Sequence, residues 1–119
     1  MIDIHPAHLV GTGGAIGALC RSYVGQRLNA NYPLGTLTVN VVGSFVLGLV
    51  TFAGVGGDVA LLVGTGACGS FTTFSSFSVE TFQLAEADDW DRAVANAAAN
   101  LVGSLGAIGL AWLLLQLVG

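Results

Sequence analysis

From Gly66 the chain reads Gly-Ala-Cys-Gly-Ser-Phe-Thr-Thr-Phe-Ser-Ser-Phe-Ser78, and six of the nine residues from Ser70 to Ser78 carry hydroxyls. Ser and Thr can bond back to their own helix, which on its own describes a satisfied polar helix. Gly64, Gly66 and Gly69 ahead of the hydroxyl run favour a local break. Breaks turn free carbonyls toward cations and free N–H groups toward anions. Phe71, Phe74 and Phe77 recur at every third residue of the run. Phenyl groups at such spacing are usually core or lipid-facing, but a ring edge is positive, so edges turned into a polar path can meet an anion without a fixed charge. Asn40 supplies an amide donor, and Asn96, Asn100 and Ser104 form an i, i+4, i+8 polar stripe. The plain alternative for a buried Asn is a bond to a neighbouring helix. Arg21 and Glu80 are the remaining ionisable candidates.

These residues sit in a chain with little charge to spare. Ten charged side chains are bunched, leaving neutral runs at 4–20, 28–57, 59–79 and 93–119. Each is close to or longer than the ~17–25 residues that cross a bilayer as a helix. The expected architecture is all-α and membrane-embedded, a single domain over 1–119 with spans at about 8–25, 34–52, 59–85 and 93–118 and a break in the third. Pro6 suits a first helical turn. Asn29-Ala-Asn-Tyr-Pro33 reads as a turn, Gly54 to Asp58 as the second loop, and Glu86 to Arg92 as a short acidic loop. Gly13/Gly17 and Gly14/Ala18 are small pairs at i, i+4 that let another helix backbone approach closely in lipid. The lack of Lys beside a net charge of -4 suits a high-salt cytoplasm.

Several functions are excluded or disfavoured. Three Arg and no Lys give no basic patch for nucleic acid. Met1 to Leu9 has Asp3 and no basic residue, unlike a secretory signal. Gly11-Thr-Gly-Gly-Ala-Ile-Gly17 lacks the spacing of a dinucleotide loop. Cys20 and Cys68 stand alone and read as packing residues. With even spans, Arg21, Arg27 and Arg92 lie toward one side, which the positive-inside bias makes cytoplasmic.

Three segments resemble the fluoride ion channels of the Fluc or CrcB family: Gly13-Gly-Ala-Ile-Gly-Ala-Leu-Cys-Arg21-Ser-Tyr23, Gly35-Thr-Leu-Thr-Val-Asn40-Val-Val-Gly43-Ser-Phe45-Val-Leu-Gly48, and Gly66 to Glu80. The resemblance covers essentially the whole chain and is weakest in the fourth span. It implies an antiparallel, dual-topology dimer of four-helix subunits, with two fluoride pathways and one central structural Na⁺. It assigns Na⁺ to the backbone carbonyls of Gly69 and Thr72 from both subunits. Phe74 and Phe77 would line the path with their edges, Asn40 would donate its amide, and Thr73 would place a hydroxyl near the route. Arg21 would stand at the vestibule and Glu80 at one end of the conduit. In the fourth span Ser104 matches the family pattern, but Asn100 stands where a Tyr is usual. Ser76 replaces a usual Thr.

Fluoride is small and strongly hydrated, so a pore must replace its water without holding it too tightly. Several neutral contacts in sequence suit that task and imply passive, selective efflux across the cell membrane. A homodimer of mixed orientation should show almost no Arg bias, so three against none also admits a fixed-orientation subunit paired with a paralogue. A proton-coupled multidrug exporter of this length needs an acid within the first span, and none follows Asp3 there. A non-transporting assembly subunit accounts for the small-residue faces but not for Gly69 to Phe77. An enzyme is the weakest reading, since no nucleophile, base and orienting group converge in any motif.

Overall fold

A computed structural model describes residues 4–29 and 32–119. The reading of Met1 to Asp3, and the Ala30 and Asn31 part of the first turn, lie outside the described residues. Among those described, the structure is helical throughout apart from its connections. Helix α1 runs Pro6–Leu28 and α2 runs Leu34–Phe52. The third crossing is built from α3 (Gly57–Val59), a π-helical stretch (Ala60–Cys68), α4 (Gly69–Phe71) and, after an interruption at Thr72 and Thr73, α5 (Phe74–Glu86). The final helix, α6, runs Trp90–Val118.

The boundaries follow local chemistry. His5 caps α1 through Nδ1, which accepts the Ala7 N–H at 3.1 Å, and Pro6 fills the position where no N–H is needed. Asn29 ends α1 and starts α2, its Oδ1 accepting the N–H groups of Gly35 at 2.7 Å and Thr36 at 3.3 Å. After α2 the chain turns through Gly54 at φ +69° and Gly57 at φ +60°, where a side chain would be strained. Asp88, at φ 58°, and the Asp89 cap form the turn into α6.

Helices α1 and α6 begin a few residues before the expected span starts at about 8 and 93, because Pro6 and Asp89 set their starts. Three helical segments, Leu34–Phe52, Gly57–Glu86 and Trp90–Val118, are long and apolar enough to cross a membrane. With 23 residues α1 has the length, but its five glycines together with His8, Arg21, Ser22, Gln26 and Arg27 dilute its apolarity.

The break also differs in place from the glycines expected to cause it. Gly64, Gly66 and Gly69 stay helical, the first two in the π stretch, and the chain opens at Thr72 and Thr73, both extended. The glycines serve the approach of α1 instead. A Cβ on Gly13 would lie 2.0 Å from the Leu62 carbonyl oxygen, and one on Gly17 would lie 2.2 Å from that of Ala67. Gly66 meets α1 from the other side, where an added Cβ would lie 2.8 Å from the Val10 carbonyl oxygen. Gly14 is less crowded, its nearest neighbour being the Gly66 oxygen at 4.0 Å. Such contact replaces the hydrophobic driving force that lipid removes.

Helix α2 packs along α6, with Gly48 against Ala111 and Ile108, and Gly103 against Val41. Buried apolar residues are few and mostly small: Leu9, Val39, Cys68, Ala93, Ala107 and Ala111. Leu, Val, Phe and Trp side chains dominate the exposed surface, while Thr36, Asn96 and Asn100 are buried. Polar inside and apolar outside is the arrangement a hydrocarbon solvent selects.

Candidate functional site

The interruption is held open by an exchange of hydrogen bonds at Thr73 and Ser76. In an unbroken helix the Thr73 N–H would bond the Gly69 carbonyl, four residues back. Here it donates to Asn40 Oδ1 at 2.8 Å, and Asn40 Nδ2 donates in return to the Thr73 carbonyl at 3.1 Å. The Ser76 N–H, natural partner of the Thr72 carbonyl, donates to the Thr73 hydroxyl at 3.1 Å, which caps α5. The break leaves the four carbonyls from Gly69 to Thr72 without their helical donors; that of Ser70 accepts from Arg21 instead, while those of Gly69 and Thr72 lose theirs to Asn40 and to the Thr73 hydroxyl. Main-chain oxygens suit a hard cation, so these two residues fit a Na⁺ ion in donor type. A Cβ on Gly69 would meet nothing within 4 Å, so that side of the break is open. Gly43 lets α2 approach its other side: a Cβ there would come within 2.4 Å of Thr72 Cγ2.

The ends of the two half-helices are tied to their neighbours. Arg21 Nε donates to the Ser70 carbonyl at 3.1 Å, placing a cation at the negative end of the first half. Ser70 Oγ donates to the Gly14 carbonyl, and Thr72 Oγ1 donates to the Cys68 carbonyl at 3.0 Å. Hydroxyls thus bond backbone on both sides of the gap, as the plain reading of this segment allowed, while the gap itself persists.

Two cavities meet at Thr73. The first, of about 360 Å³, is bordered by Arg21, Thr36, Thr73, Ser76 and Glu80. The Thr36 hydroxyl donates to Glu80 Oε1 at 2.8 Å, and Glu80 Oε2 is buried with no hydrogen-bond partner. The second, of about 560 Å³, is bordered by Asn40, Thr73, Phe74, Phe77, Asn100 and Ser104, with Thr72 also on its wall. Phe74 and Phe77 stack at a tilt, with ring centroids 5.7 Å apart and an interplanar angle of 49°. Phe74 is 80% exposed.

The structure thus gathers Asn40, Thr73, Phe74, Phe77 and Ser104 around one space, and Arg21 and Glu80 around the other. Gly69 stands apart on a third cavity, beside Leu47, Val50 and Thr65. Asn100, left open by sequence, lies on the second cavity wall. Its Nδ2 turns to Asn96, donating to the main-chain oxygen at 2.9 Å and to Oδ1 at 3.2 Å, while its Oδ1 accepts from Asn40 Nδ2 at 2.9 Å. Asn96 Nδ2 in turn donates to Thr81 Oγ1 at 2.9 Å, and that hydroxyl donates to the Phe77 carbonyl at 2.8 Å.

Each amide orientation in this ladder is fixed, because its ends are a main-chain N–H at Thr73 and main-chain carbonyls at Asn96 and Phe77. The sequence stripe indicated Asn96 and Asn100 but not Thr81, which closes the ladder from α5. Thr36, the partner of Glu80, lies one turn before Asn40 on α2, and that i, i+4 spacing was the available signal.

Similarity to known proteins supports the reading of these motifs. The CrcB-like protein, Camphor Resistance (CrcB) family matches residues 8–112. A protein of Haloarcula marismortui named "Fluoride-specific ion channel FluC 2" is 60% identical over 119 residues, covering 99% of this chain and 100% of its own. "Fluoride-specific ion channel FluC 1" of Halobacterium salinarum is 54% identical over 110 residues, 92% of each chain. "Fluoride-specific ion channel FluC 3" of Methanosarcina acetivorans is 43% identical over 111 residues, 92% of this chain and 100% of its own. Helices fit to span a membrane, the threonine break and these matches agree, and the chain belongs to the CrcB family.

Proposed function

We propose that this membrane protein is a fluoride-selective channel that lets the ion leave the cytoplasm passively across the cell membrane. The observation that carries this reading is the second cavity, where an interrupted helix brings the Asn40 amide, the Thr73 hydroxyl and the Phe74 and Phe77 rings to one space. All of these groups are neutral. A strongly hydrated anion can exchange water for several weak contacts in turn, and no buried cation midway traps it. In this scheme Thr73 joins the first cavity, with Arg21 and Glu80, to the second, with Ser104.

The path needs a second subunit. The described residues span 57 × 33 × 19 Å, and the smallest extent is about two helix diameters. Phe74 is exposed, and a Cβ on Gly69 would meet nothing within 4 Å, so the surroundings of the break are left uncovered. We assign four crossings to each subunit, with α1 shielded by its partners, and an antiparallel pair of subunits around two paths. The Gly69 and Thr72 carbonyls of both subunits would hold a structural Na⁺, whose charge fastens the facing breaks together.

The test is fluoride efflux from proteoliposomes, with chloride as control. The wild-type chain should pass fluoride and exclude chloride, and Phe74→Ala should cut the flux at least tenfold. Equal passage of chloride, or unchanged flux in Phe74→Ala, removes the assigned route. The arginine bias favours a second arrangement in which oppositely inserted chains must be supplied. It predicts weak flux from this chain alone, restored by co-reconstitution with a copy carrying Arg27→Gln, Arg92→Gln, Val55→Lys and Gly56→Lys. Absence of flux in both preparations overturns the channel reading itself.

A further inference from the structure

Asn100 faces the second cavity in an unexpected sense for an anion path. Its amide nitrogen is turned away to Asn96, so the group it offers toward Asn40 is an oxygen. A carbonyl-type oxygen repels an anion and attracts the donor the anion needs. Asn40 Nδ2 has two engagements: the Thr73 carbonyl at 3.1 Å, which belongs to the break, and Asn100 Oδ1 at 2.9 Å, on the cavity wall. Asn40 Oδ1 is held by the Thr73 N–H, so the amide cannot flip to present a different donor. An anion that draws an N–H from Asn40 while the break stays intact must take the one now given to Asn100.

We propose that Asn100 is a positioning residue that sets how tightly the path holds its ion, its Oδ1 competing with fluoride for the Asn40 Nδ2–H. This rests on the channel reading above. Conduction requires binding favourable enough to enter and weak enough to leave. A built-in acceptor achieves that by returning the hydrogen bond as the ion departs, so neither state leaves the Asn40 donor unpaired. The competitor is also fixed in place. Asn100 is 5% exposed, and its Nδ2 is bonded to the main-chain oxygen of Asn96 one turn earlier, an anchor independent of the Asn96 side chain. Asn96, fully buried, carries the ladder on to Thr81 and shares no hydrogen bond with Asn40.

That geometry separates two variants which a merely structural role would not. Asn100→Leu and Asn100→Ala both remove the competing oxygen, the first keeping the cavity wall filled and the second avoiding overpacking. Asn96→Ala breaks the ladder toward Thr81 yet leaves Asn100 anchored and its Oδ1 in place. Fluoride efflux from proteoliposomes is measured against internal fluoride concentration, in whichever preparation carries wild-type flux.

Losing one neutral hydrogen-bond competitor should lower the half-saturating concentration about twofold to tenfold in the Asn100 variants. Their maximal rate should fall, because the ion leaves more slowly. Asn96→Ala should keep the wild-type half-saturating concentration even where its melting temperature drops. An unchanged or raised half-saturating concentration in the Asn100 variants overturns the proposal, as does an equal fall in Asn96→Ala. Should Asn100→Leu not assemble, Asn100→Ala decides by the same criterion, and if neither assembles the role is structural and the proposal fails. Wild-type flux with unaltered Asn100 variants sinks only this inference. Absence of wild-type flux sinks the channel reading instead.

Discussion

The two sides of the broken helix are joined to the rest of the molecule by opposite means. Before the break, the π stretch meets α1 backbone to backbone at its closest approaches, through Gly13, Gly17 and Gly66. After it, α5 meets α2 and α6 through a ladder of side-chain amides and hydroxyls, Asn40 to Asn100 to Asn96 to Thr81. Glycine contact is rigid and dry and leaves no room for a ligand. An amide ladder fixes orientation while keeping cavity space beside it. The difference separates the half of the crossing that holds position from the half to which we assign exchange of partners with an ion.

The sharpest way to break this contrast is at the glycine seam. Gly13→Val drives a side chain into the Leu62 carbonyl, and main-chain atoms cannot move aside as a flexible side chain can. We expect destabilisation of about 3 kcal/mol or more, seen as loss of a monodisperse species on size-exclusion chromatography in detergent. A well-behaved, fully helical variant would show the seam to be looser than the backbone contacts imply.

A smaller effect is expected on the amide side. Asn40→Leu orphans the Thr73 N–H and takes from the Thr73 carbonyl its second donor beside the helical one, at a cost of about 2 kcal/mol. The protein should still assemble, with a lower thermal midpoint and fluoride efflux reduced at least tenfold. Full efflux in an assembled variant would separate the ladder from the path.

The smallest effect on the subunit belongs to Gly69→Leu. Its side chain would enter open space, so helix content by circular dichroism should match wild type, with stability changed by only about 0.5 kcal/mol. Subunit pairing, read by cross-linking in liposomes, should nevertheless be lost. Persistent pairing would place Gly69 away from the interface.

Much of this was legible in the sequence, because lipid imposes simple rules. Neutral runs and turn residues located the helices, and Leu34–Phe52 lies where its neutral run and Pro33 indicate. The hydroxyl-rich run marked the third crossing as unusual, and Asn40, Thr73, Phe74, Phe77 and Ser104 do share a cavity. What the sequence concealed was the site of the opening. Glycine signals both weak helix and close packing, and Gly66 is explained by the second of these. The chain can open here because Asn40, 33 residues from Thr73, accepts the Thr73 N–H that the break frees. No local pattern contains that partner. The π stretch was equally hidden, since its wider turn shifts which residues face α1, and a 3.6-residue wheel assigns those faces wrongly. The amide orientations of Asn96 and Asn100 depend on which carbonyls lie nearby, so donors and acceptors were indistinguishable until the helices were packed.

The tether between Arg21 and the Ser70 carbonyl bears on how far this protein can reach for an ion. In molar salt, electrostatic screening shrinks to about 3 Å, so a guanidinium is felt only by something touching it. One lashed to a neighbouring oxygen cannot swing outward to collect distant ions. Capture under such brine would depend on chance arrival at the mouth, and discrimination between halides would begin at first contact.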